Sequence, residues 1–167
     1  MQIIFRLRAL IAFGLGVFVT FSQAHSYLVG TAVLAVFTLS FGSITLGLAF
    51  LKKTKTFHSP LAAVSLVIGG FSVATFFNQD LQAVLFLPLV ALFGLSFAAL
   101  EGYFAKSLGA RTAMGRDFGL SAVFSLALGA LFLIASLDEV AAVGFLGAYF
   151  AISGVFWGIS SVTPQAK

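Results

Sequence analysis

The sequence predicts an all-α integral membrane bundle of six transmembrane helices, built from three helical-hairpin repeats in one transmembrane domain over residues 1–167. Three observations predict it. Of the 167 residues, 60% are hydrophobic and only 8% are charged, whereas a soluble domain carries about 25% charge. Too few ionisable side chains remain to cover a water-facing surface. Six stretches approach the ~20 apolar residues that cross a hydrocarbon core of ~30 Å. All nine Lys and Arg residues fall on alternate connections between those stretches.

The first stretch, Ala9–Ser22, follows Arg6 and Arg8. Taken alone, these arginines, the apolar run and Ser22-Gln23-Ala24 also match a secretory signal with a small-x-small cleavage site. The repeat favours a retained span, because the stretch has counterparts later in the chain. Tyr27–Leu51 is the second span, Leu61–Phe77 the third, Leu81–Phe104 the fourth, Phe118–Leu137 the fifth and Val140–Ser161 the sixth. Strands of a barrel would alternate polar and apolar residues. Ala83–Ala99, polar only at Ser96, does not alternate and reads as helix.

Gln23–Ser26, Asn78–Asp80 and Asp138–Glu139 are short connections without Lys or Arg. The amino terminus, Lys52–Ser59, Ala105–Asp117 and the carboxyl-terminal tail hold all nine cations: Arg6, Arg8, Lys52, Lys53, Lys55, Lys106, Arg111, Arg116 and Lys167. Cytoplasmic loops carry the excess of Lys and Arg. The split predicts a multi-pass protein of the plasma membrane with both termini cytoplasmic.

The repeat is anchored by Gly16, Gly70 and Gly129 in the shorter helices and by Gly42, Ser96 and Gly154 in the longer ones. It divides the chain into hairpins at residues 8–53, 58–106 and 116–161. Ser26, Asp80 and Asp138 stand at matching helix starts, where Ser or Asp accepts a bond from an unsatisfied amide, worth about 0.5–2 kcal/mol. Ser59 before Pro60 is a further start signal, and Asp117 before Phe118 is read in the same way. Pro88 lies early enough in the fourth helix to be accommodated or to kink it. Small residues four apart recur on all six helices, for example Ala12/Gly16, Ser43/Gly47, Ser65/Gly69, Gly94/Ala98, Ser125/Gly129 and Gly154/Gly158. In lipid such stripes let backbones pack closely.

Candidate chemistry is sparse. Glu101, inside the fourth apolar run, has two readings. A charge at mid-membrane costs about 2.5–3.5 kcal/mol on insertion scales and often marks function, so Glu101 is a proton- or ligand-linked candidate. Alternatively it sits near the interface and pairs with Lys106. His25, Asp80, Asp138 and Glu139 share the outer face, where histidine protonation near pH ~6.5 would make the rim pH-sensitive. The other reading of the same four residues is helix capping and solvated turns. His58 falls on the opposite side, so the histidines form no joint metal site or triad. The chain has no cysteine. No catalytic, cofactor-binding or metal-ligating residue is assigned. Trp157, Tyr103 and Tyr27 are placed as interfacial anchors, and Lys52, Lys53 and Lys55 as an orientation signal that also attracts anionic lipid. The expected partner is the lipid bilayer, not nucleic acid; a homo-oligomer or a membrane-protein partner stays open.

Ser125-Leu-Ala-Leu-Gly129 followed by Gly147-Ala-Tyr-Phe-Ala-Ile-Ser-Gly154 resembles the closing repeat of HdeD-like acid-resistance membrane proteins. Ala91–Lys106, with Ala99-Leu-Glu101-Gly-Tyr103, is similar to the middle repeat. Arg8-Ala-Leu-Ile-Ala-Phe-Gly14 with Phe41-Gly42 is similar to the first. The family often has Pro in its short outer turns, and this chain has none there. The resemblance implies six helices and a non-enzymatic role in acid or envelope stress, and it brings no catalytic residues. The rival class is a small transporter or channel component, in which Thr20, Thr38, Ser43, Thr45, Ser72, Thr75, Ser96 and Ser125 would face one cavity with Glu101.

Overall fold

The computed structural model describes residues 2–51, 59–109 and 111–162, without the side chain of Gln2. His58, Lys52, Lys53, Lys55 and Lys167 lie outside the described residues. Within them the chain forms α1 (Gln2–Phe21), α2 (Tyr27–Leu51), α3 (Ser59–Ala74), a 3-10 turn (Thr75–Phe77), α4 (Gln79–Leu108), α5 (Ala113–Ile134) and α6 (Glu139–Val162). Each span is long and apolar enough to cross a membrane. Large apolar side chains such as Leu10, Phe18, Val36, Phe71, Val84, Leu126 and Ile152 are exposed around the bundle. An apolar surface of this extent has no place in water, and it matches acyl chains. The protein is a polytopic membrane protein.

Close backbone approach decides which helices pair. Each helix packs most extensively on one neighbour: α2 on α3, α4 on α5, and α1 on α6. Helices within each expected hairpin touch less. At the α4/α5 crossing a methyl on Gly94 would lie 2.5 Å from the Gly129 amide nitrogen. Methyls on Gly16 and Gly154 would strike the α6 backbone at Ala151 and the α1 backbone at Phe13, respectively. Between α2 and α3, Gly42 and Gly69 receive Leu66 and Leu39. The anchors therefore differ in part from those expected. A methyl on Gly70 meets nothing within 4 Å, so the contact belongs to Gly69, one residue earlier. In α4 the contact belongs to Gly94, while Ser96 is half-buried. Gly47 also points into open space and makes no helix contact of this kind.

Phenylalanines fill the interior that these close crossings leave. Phe37 of α2 lies 4.6 Å from Phe150 of α6 between ring centroids, and Phe93 lies 4.5 Å from Phe97 within α4. Such pairs contribute about 0.5–1.5 kcal/mol beyond area burial. Pro88 is carried inside α4.

The helix starts correct two capping assignments. Asn78, not Asp80, caps α4, its side chain accepting from the Asp80 and Leu81 amides at 2.9 and 3.2 Å. Asn78 precedes the first turn, whereas Asp80 already lies inside it. The turn before α5 is also earlier than expected. Thr112 caps it, accepting from the Gly115 amide at 2.9 Å, and Asp117 lies a turn into the helix. The preceding turn closes at Gly109, whose φ of +87° favours glycine. Asp138 does cap α6, accepting from the Ala141 amide at 2.7 Å, and Ser26 accepts from Val29 at 3.4 Å.

Candidate functional site

α1 begins at Gln2, so it carries Arg8 into the bundle rather than leaving it at the interface. Arg8 is 2% exposed and Glu101 is fully buried. Their side chains form an ion pair with Nη2 to Oε1 at 2.6 Å. This overturns the expected pairing of Glu101 with Lys106. Five residues along a helix amount to about 500° of rotation, which turns Lys106 away from Glu101, and Lys106 is exposed.

The second carboxylate oxygen is held from α5. Ser125, also fully buried, donates its hydroxyl to Glu101 Oε2 at 3.1 Å. Ser125 Oγ also lies 3.0 Å from the Tyr149 hydroxyl of α6. A serine has one proton to donate; with it directed at the carboxylate, Tyr149 is the donor in the second bond. The chain Arg8–Glu101–Ser125–Tyr149 thus ties together α1, α4, α5 and α6.

Aromatic rings enclose the cation. The Arg8 guanidinium carbon lies 4.5 Å from the Trp157 ring centroid, 5.4 Å from that of Phe97 and 5.5 Å from that of Phe41. Ring faces attract a guanidinium, more strongly once it is desolvated. Phe5, one turn before Arg8, stacks on Trp157 at 4.8 Å. Trp157 is therefore a fully buried wall of this chamber and not the interfacial anchor expected of it; Tyr103, 64% exposed, fits that role. No family model matches the chain, and no curated protein or solved structure is similar to it.

The other hydroxyls do not join one polar path. Thr20, Thr38, Ser72 and Thr75 donate to carbonyls of their own helical segments, at 2.8, 2.7, 2.9 and 2.7 Å. Thr45 is buried with no hydrogen-bond partner. Ser96 lines an apolar crevice between α3 and α4. Of the eight residues that the transporter reading collects, Ser125 alone is bonded to Glu101 among the described residues. An apolar crevice of about 230 Å³ between α5 and α6, lined by Phe124, Leu128, Phe145 and Ile152, reaches Tyr149 from the lipid side.

Of the expected outer-rim residues, Glu139 has a role that sequence reasoning missed. Its carboxylate accepts from the Tyr27 amide at 2.5 Å, so α6 supplies a cap for α2. Asp138 is engaged with its own helix, Asp80 sits in the first turn of α4, and no group of three potential ligands forms a metal site among the described residues.

Proposed function

We propose that this is a non-enzymatic multi-pass protein of the plasma membrane, of HdeD-like type, with both termini cytoplasmic, supporting tolerance of acid or envelope stress. The observation that carries the non-catalytic part is the Arg8–Glu101 pair. Both charges answer each other, Ser125 donates to the second carboxylate oxygen and is itself bonded to Tyr149, and aromatic rings close over the guanidinium. A pair held this way braces four helices and presents no nucleophile or base to a substrate. The orientation is supported by the eight other Lys and Arg residues, which fall at or near alternate connections, Arg8 being drawn into the bundle. The stress role is supported by the resemblance in the three hairpins.

The test is survival after an acid shift in cells with the gene, without it, and with Glu101→Gln, with the membrane content of the protein measured in each strain. Loss of survival without the gene supports the proposal; equal survival in all three strains removes it. A transport role is the second reading, favoured by one observation: the α5/α6 crevice ends on Tyr149, which the Ser125 hydroxyl links to Glu101. Proton or solute flux in proteoliposomes that depends on Tyr149 would favour it.

A further inference from the structure

Arg6 and Arg8 are two residues apart on α1, and about 200° of helical rotation separates them. Arg8 enters the bundle, while Arg6 is exposed and forms no ion pair among the described residues. Arg6 stands at the mouth of a furrow of about 360 Å³ between α1 and α6. The furrow exists because Ala9 and Gly158 face each other with almost no side chain. A methyl on Gly158 would meet only the Ala9 methyl, at 3.9 Å. Deeper along the same furrow the Gly154/Phe13 contact brings the helices together and closes it. Ser161, also at the mouth, donates its hydroxyl to the Gly158 carbonyl at 2.7 Å and is occupied by its own helix. The furrow is thus an apolar slot open to the bilayer, with one uncommitted guanidinium at its end.

We infer that this furrow is a binding site for an anionic phospholipid, with one acyl chain in the slot over Gly158 and the phosphate on Arg6. Charge complementarity selects this occupant. A guanidinium presents paired N–H donors that match phosphate oxygens. Arg6 lies four residues into α1, about 6 Å along the axis, from which a long side chain reaches the headgroup layer. The acyl chain needs no partner beyond apolar walls, which Leu10, Phe13 and Val155 provide.

The single tryptophan of the chain, Trp157, adjoins Gly158 and reports on the slot. The full-length protein is reconstituted into phosphatidylcholine vesicles containing a fixed minor fraction of lipid brominated on its acyl chains, either phosphatidylglycerol or phosphatidylcholine. Quenching of Trp157 should show a roughly five-fold preference for the phosphatidylglycerol, as expected of one basic residue at a membrane surface. Arg6→Gln should abolish the preference, and Gly158→Leu, which fills the slot, should reduce quenching by both lipids. An unchanged Trp157 emission maximum shows that each variant is folded. Equal quenching by the two lipids in the wild-type protein overturns the proposal. Displacement of the brominated lipid by inorganic phosphate would also overturn it, assigning Arg6 to a soluble anion. So would a Gly158→Leu protein that turns from dimer to monomer on cross-linking, because the furrow would then belong to a second copy.

Discussion

Replacing Glu101 by Gln keeps the side chain's size and removes the charge that answers Arg8. At the observed 2.6 Å the attraction is about 6 kcal/mol for an effective dielectric of about 20. In the native protein this offsets the several kcal/mol per ion that burial costs. In the variant the cost of burying Arg8 remains without its offset, and removing one member of a buried pair destabilises by about 3–5 kcal/mol. The three rings around the guanidinium return part of this, so the expected loss lies nearer about 3 kcal/mol. SDS-driven unfolding in mild detergent, followed by the emission of Trp157 beside Arg8, measures it. Lys106→Gln, an exposed change, should cost less than about 0.5 kcal/mol. The double variant Arg8→Met/Glu101→Leu removes both charges and should regain most of the loss or exceed wild-type stability, as apolar replacements of buried pairs do by about 1–4 kcal/mol. If Glu101→Gln were as mild as Lys106→Gln, or the double variant as damaged as the single one, the buried pair would not be what braces these helices.

Two further outcomes follow from the packing and the charge pattern. Gly94→Leu should force α4 from α5 and lower stability by more than about 2 kcal/mol in the same unfolding assay, while Gly70→Ala, which faces open space, should change it by less than about 0.5 kcal/mol. Because the chain lacks cysteine, single cysteines at Asn78 and Ala135 should react with a membrane-impermeant maleimide added outside intact cells, and one at Ser107 only after lysis. Labelling of Ser107 from outside would reverse the proposed orientation.

The six spans were legible because they depend on composition and length, which long apolar runs state directly. The ion pair was not, although its signal was present. Arg8 has apolar Ile3, Ile4 and Phe5 before it as well as Ala9–Phe13 after it, so it stands inside the hydrophobic stretch rather than at its edge. Grouping it with Arg6 by adjacency hid the helical rotation that sends the two in opposite directions. A lone Glu101 within a span demanded a cation from another span, and Arg8 was the cation that leads directly into the apolar run Ala9–Phe21, interrupted only by Thr20. The packing register was blurred for a local reason. Gly69 and Gly70 are neighbours, and only the partner helix decides which of them is approached. The α2 cap from Glu139 joins residues far apart in sequence, so no window along the chain contains it.

The seam between α1 and α6 also constrains how the protein is made. α1 has its most extensive partner in α6, made much later, and Arg8 meets Glu101 only after α4 has been synthesised. Until then a charged helix must wait in or near the translocation machinery, because an unanswered guanidinium is costly in lipid. The seam between α1 and α6 can therefore close only once α6 has emerged, and a chain interrupted before α6 would leave α1 without the surface against which it is shaped.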